Sequence, residues 1–187
     1  SLNEKQQKQL LDLARASIEH GLRTGRALNV KLSDYDEALT EDRATFVTLE
    51  RHDQLRGCIG MLQAVRPLVE DIAENAFAAA FRDPRFPALR EAEMPDLELH
   101  ISILSPAEIM TFSSEADLLA QIRPGIDGLI LQDNGHRGTF LPSVWEQLPD
   151  KTQFLQHLKQ KAGLPPHYWS NTLQVSRYTT FMFGDEG

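Results

Sequence analysis

ATFVTLERHDQLRGCIGML, Ala44 to Leu62, contains two β-prone runs, ATFVTLE and QLRGCIGML, separated by the short polar RHDQ. That arrangement suits an antiparallel hairpin. The second run carries Cys58, the only cysteine in 187 residues, among Gly57 and Gly60. Glycines weaken a strand interior, so two of them point to a bulge or to a close approach of backbone or ligand.

Working outward, VRPLVEDIAENAFAAAFRDPRF follows the hairpin and reads as a helix. Pro67 suits its first turn, Glu70 and Asp71 suit its positive end, and Pro84 stops it near Asp83. Leu68, Ile72, Ala76 and Ala79 line one face, and the alanines allow close contact with the sheet. DLELHISILS alternates Leu97, Leu99, Ile101 and Ile103 against Glu98, His100 and Ser102, which predicts a strand. Upstream, Leu10, Ala14, Ile18 and Leu22 recur every fourth position, giving an amphipathic helix from Asn3 to about Thr24. The segment between that helix and the hairpin, rich in Gly, Asn, Ser and Asp, reads as an irregular connection.

Downstream, Ser114 with Asp117 marks a helix start before LLAQI. Asn134-Gly135 within GLILQDNGHRGTFLP predicts a tight type I′ hairpin, because both central residues of that turn need positive φ. Short helices are expected at SVWEQL and TQFLQHLKQKAG, the second ending at Gly163, and TLQVSRYTTFMF alternates as one closing strand. Strands in hairpins and helices in separate blocks, without a βαβα rhythm, specify an α+β fold with a mainly antiparallel sheet flanked by helices.

Composition limits the function. The chain has 41% hydrophobic and 25% charged residues, as expected of a globular protein. Lys and Arg number 19 against 27 Asp and Glu, for a net charge of -8, the wrong sign for broad binding to a nucleic-acid backbone. The longest apolar runs fall short of a membrane span, and one cysteine excludes an internal disulfide, so a cytoplasmic protein is expected. The six histidines show no metal-ligand spacing, and the nucleotide-binding and serine-elbow motifs are lacking. No metal site or cofactor is therefore assigned.

The candidate chemistry centres on Cys58. A thiolate is favoured by nearby cations, and Arg56, two residues away, shares the strand face of Cys58 if no bulge intervenes. Arg56 would then activate the thiol or hold an anionic ligand beside it. The alternative is that Cys58 is a small core residue and Gly57 and Gly60 make room for the alanine-rich helix. FRDPRFPAL sets Asp83 and Arg85 around a proline turn, either holding the loop or offering a guanidinium to a ligand. GHRGTFLP places His136 and Arg137 beside a hairpin tip.

LRGCIG, AAFRDPRFPAL, ISILSP and GHRGTFLPSVWEQ, in this order and spacing, resemble the family named after the AMME contiguous-deletion syndrome region, whose prokaryotic members are called AmmeMemoRadiSam system protein A. The resemblance runs from about Leu10 to Phe183. It implies one family domain over residues 1–187 with two sub-lobes, the second smaller, and a groove between them bordered by the LRGCIG strand. It also implies two partners, a Memo-like protein and a radical S-adenosylmethionine protein. Cys58 and Arg56 are the candidate catalytic residues, and Gly57, Gly60, Asp83, Arg85 and Arg137 the candidate binding residues. The leading expectation is a component of a multi-protein modification pathway that binds a small molecule or a partner segment. The alternatives are a Cys58-dependent enzyme and a structural adaptor or nucleic-acid-associated regulator.

Overall fold

Two positive-φ residues, His52 (φ 51°) and Asp53 (φ 62°), turn the chain between β1 (Ala44–Arg51) and β2 (Gln54–Gly60) in the computed structural model, which describes residues 2–185. The connection is thus a two-residue turn of the kind that matches the strand twist. β1 also pairs antiparallel with β3 (Leu97–Leu104), and β8 (Thr180–Gly184) completes the sheet in the order β2-β1-β3-β8. β2 is therefore an edge strand.

Register sets the two faces. Val47 lies opposite Ile59 and Ile101, and Leu49 opposite Gly57 and Leu99, so these residues share the core face. Two helices cover it. α1 (Glu4–Thr24) starts at a reciprocal cap between Asn3 and Gln6, ends at Gly25 in the left-handed region, and buries Leu10, Leu13, Ala14 and Ile18. α2 (Leu68–Phe81) follows Pro67, which sits at the N-cap, and lies on β1 and β2 with Ala73, Ala76, Ala79 and Ala80 buried. Its small side chains bring the helix backbone close to the sheet, as the composition predicts. The hydrophobic core of this unit, which comprises residues up to Leu104 and those from Phe181, sits between these layers.

A second compact unit spans Ser105–Thr180. Its antiparallel sheet has the order β4-β7-β5-β6, formed by β4 (Glu108–Ile109), β5 (Gly128–Asp133), β6 (His136–Phe140) and β7 (Gln174–Tyr178). Asn134 and Gly135 have φ 47° and 83°, the predicted hairpin turn. α3 (Glu115–Gln121) begins with the Ser114 hydroxyl accepting from the Asp117 amide, and α4 (Lys151–Lys161) with Asp150 accepting from Gln153. Trp145 stacks on Phe154 at 3.7 Å in a core that includes Leu129, Leu131, Leu158 and Val175.

The architecture is α+β with two antiparallel sheets. One expectation needs correction: TLQVSRYTTFMF is not one strand. It divides at Thr179, so that β7 joins the second sheet and β8 the first. A single alternating run cannot reveal that its two halves serve different sheets. The short helix expected at SVWEQL is present as a 3-10 helix, Pro142–Glu146.

Candidate functional site around the β2 strand

β2 is not regular. Leu49 faces Gly57 and Glu50 faces Leu55, which leaves Arg56 as the extra residue of a β-bulge. The bulge removes the condition on which Arg56 and Cys58 would share a face. The Arg56 side chain instead donates from Nε to Glu93 at 2.8 Å and from Nη2 to the Pro87 carbonyl at 2.7 Å. Both Arg56 and Glu93 are buried, and Arg51 adds a bond to the same carboxylate at 3.1 Å. The Arg56 hydrogen bond, with help from the Arg90 amide and the Arg51 charge, holds the Glu93 carboxyl below the usual carboxylate range against the opposing effect of burial. Glu93 is the partner that the sequence did not disclose, because nothing local links residues 56 and 93.

Both glycines serve packing. A β-carbon on Gly57 would lie 2.1 Å from the Ala79 carbonyl oxygen, so β2 can meet α2 only with glycine there. A β-carbon on Gly60 would lie 2.4 Å from the Phe46 ring and 2.3 Å from the Thr45 carbonyl, so Gly60 admits that ring from the neighbouring strand.

Asp83 and Arg85 come to the outer edge of β2. Cys58 donates its amide to Asp83 Oδ2 at 3.0 Å, while Arg85 Nη2 donates to the Cys58 carbonyl at 3.4 Å. Arg85 also grips Asp83 through Nε at 3.1 Å and Nη2 at 2.8 Å, and its own amide donates to Oδ1 at 3.1 Å. The buried Asp83 carboxylate thus accepts four bonds. Arg85 foremost, with the two amides, drives its pKa far below the usual carboxylate range, and burial opposes this only in part. The turn at Asp83–Arg85 is therefore bound to β2 through the backbone of Cys58.

The Cys58 side chain is half-buried on the face turned away from α1 and α2. Thr48 lies opposite it on β1, with its hydroxyl 3.2 Å from the sulfur, and His100 lies opposite Thr48 on β3. Cys58, Thr48 and His100 form one row across three strands. The next row contains Leu55, Glu50 and Glu98, and the His100 Nε2 atom faces Glu50 at 3.4 Å and Glu98 at 4.0 Å. The histidine is thus turned toward carboxylates and not toward the thiol. Thr48 and Glu50 escaped the sequence reading because they enter only through strand register.

Arg137 belongs to the second unit. It lines a concavity of about 510 Å³ with Gln132, Asp133, Asn134, His136, Thr172 and Gln174. Asp133 there accepts the hydroxyls of Thr172 and Tyr168, each at 2.6 Å, and these bonds lower its pKa. The His136 ring nitrogen Nδ1 lies 3.2 Å from the Ala162 carbonyl.

The profile of the AMMECR1 family matches residues 11–183. The chain belongs to the AMMECR1 family. Archaeal proteins are similar over most of their length: one from Methanothermobacter thermautotrophicus is 36% identical over all of this chain and 97% of its own, and MK0488 of Methanopyrus kandleri is 38% identical over 86% and 78%. The crystal structure of PH0010 from Pyrococcus horikoshii superposes with a TM-score of 0.87 at 34% identity, covering 99% of this chain and 94% of the other. In this AMMECR1 chain, Arg56, Gly57, Gly60, Asp83 and Arg85 converge on β2, and the thiol of Cys58 faces outward from the helices. Among the described residues, no group of three or more His, Cys, Asp or Glu side chains is placed to hold a metal, and no helix is long and apolar enough to cross a membrane.

Proposed function

We propose that this AMMECR1 chain is a binding component of a multi-protein modification pathway, working with a Memo-like protein and a radical S-adenosylmethionine protein. It presents the Cys58 face of its first sheet to a small molecule or a partner segment. The observation that carries the reading is how the motif residues are used. Gly57 and Gly60 accommodate packing, Arg56 is held by Glu93, and Asp83 and Arg85 hold the Cys58 backbone. What remains for a ligand is the polar surface of Cys58, Thr48, His100, Glu50 and Glu98, bordered by the exposed Leu55.

The test is titration of the purified Memo-like protein against the wild-type chain, Cys58→Ala and Cys58→Phe. Occlusion of the face by Phe weakens binding at least about tenfold, or 1.4 kcal/mol. Wild-type affinity for a folded Cys58→Phe chain rejects this face as the contact.

A Cys58-dependent enzyme is the second reading, favoured by the half-buried thiol 3.2 Å from the Thr48 hydroxyl. Nucleophilic catalysis needs a base within hydrogen-bond reach of the thiol or an equivalent source of thiolate. His100 faces Glu50, which favours binding over attack. Alkylation of the native chain by iodoacetamide separates the two: reaction much faster than that of a free thiol supports the enzyme.

A further inference from the structure

β2 is the edge of the first sheet, and an edge strand exposes N–H and C=O groups that can pair with another chain. At Cys58 these two groups point away from β1, as their partners show. The amide meets Asp83 Oδ2 at 3.0 Å and the carbonyl meets Arg85 Nη2 at 3.4 Å. One carboxylate and one guanidinium, joined to each other at 2.8 Å, supply the acceptor and donor that an adjoining strand would supply from its backbone. We propose that the Asp83–Arg85 pair is a surrogate strand that guards the edge of the first sheet, and that its removal opens β2 to antiparallel pairing with β2 of a second copy of this chain.

Two features show how the guard is built. Asp83 is held from both sides: its side chain is buried, its four hydrogen bonds leave it no freedom, and its own carbonyl accepts the Phe86 amide at 3.1 Å to close the turn. Arg85 is the looser half, with a side chain 56% exposed and the longer bond to Cys58. Pro84 between them lacks a backbone donor, so the surrogate strand cannot itself extend the ladder. A second copy is the matching occupant because an opened β2 presents the same bonding pattern on both molecules, and an antiparallel pair about a two-fold axis satisfies both at once. The inference concerns the strand edge and is independent of the ligand that the Cys58 face takes.

The experiment is backbone-resolved hydrogen exchange at the Cys58 amide with sedimentation velocity, on the full chain, for wild type, Asp83→Ala and Arg85→Ala over a range of protein concentrations. In the wild type the amide is protected equally at every concentration. In Asp83→Ala it exchanges at least about tenfold faster in dilute solution, as expected for a lost protecting bond, and slows again as a dimer accumulates. Arg85→Ala shows the same pattern at smaller amplitude. A folded Asp83→Ala chain that keeps wild-type exchange at Cys58 overturns the guard. Faster exchange with a monomer at all concentrations overturns the pairing. If Asp83→Ala does not fold, the same two readings on Arg85→Ala decide.

Discussion

Gly57 faces the backbone of Ala79 so closely that a β-carbon would lie 2.1 Å from the Ala79 carbonyl oxygen. The obstacle is helix backbone, which cannot step aside as a side-chain tip can. Gly57→Ala must therefore lift α2 from β2, loosening the layer that Ala73, Ala76, Ala79 and Ala80 seal. Overpacking of this kind costs about 1–3 kcal/mol, and we expect the upper part of that range in urea unfolding. An Ala variant of wild-type stability would mean that α2 and β2 do not meet at this point.

Arg56 and Glu93 give an asymmetric prediction. Removing Glu93 leaves the buried Arg56 guanidinium without a counter-charge and with only the Pro87 carbonyl as acceptor, its Nη1 atom having no hydrogen-bond partner among the described residues, whereas removing Arg56 leaves Glu93 with Arg51 and the Arg90 amide. Breaking a buried pair by deleting one member costs about 3–5 kcal/mol. Glu93→Ala should reach that range and Arg56→Met should fall below it. Chemical denaturation of both variants checks the order; equal losses would refute the account.

The sequence disclosed what is local and repetitive. The helix over Leu10 to Leu22, the hairpin around Cys58, the alternating Leu97 to Ile103 strand and the Asn134-Gly135 turn all follow from period or turn chemistry, and each is present. It did not disclose relations made by register and by distant pairing. The bulge at Arg56 shifts one residue out of alternation, the Thr48 hydroxyl reaches the Cys58 sulfur only across strands, and Glu93 reaches Arg56 from 37 positions away. The LRGCIG motif was visible as a unit. Its reading as ligand-facing arginine and thiol divides, because the bulge sends Arg56 to Glu93 while Cys58 stays on the other face.

Asp83 links stability to acidity. Its folded-state pKa lies below the unfolded value, so its contribution is complete above the unfolded pKa of about 3.9 and is lost as pH falls from there toward the folded pKa. The sign follows from proton binding: in that interval the unfolded carboxylate takes up a proton and the folded one does not. Glu93 and Asp133 act in the same direction, so Asp83 must be isolated by difference. The stability gap between wild type and Asp83→Asn should stay constant from pH 7 to about 4 and narrow below it. A gap that already closes between pH 7 and 5 would contradict the geometry at Cys58.

Cys58 and Thr48 test whether the outward face is for binding or for support. The thiol is half-buried, and its hydroxyl partner is a neutral group, so the pair contributes little to folding. A neutral hydrogen bond contributes about 0.5–1.5 kcal/mol net, and Thr48→Val and Cys58→Ala should each stay within that range in thermal unfolding. If the proposed partnership holds, the same variants should alter affinity for the Memo-like protein, and saturating Memo-like protein should shield the wild-type thiol from iodoacetamide. Stability losses well above that range, with partner affinity unchanged and alkylation unshielded, would return Cys58 to the supporting layer and move the binding surface elsewhere on the chain.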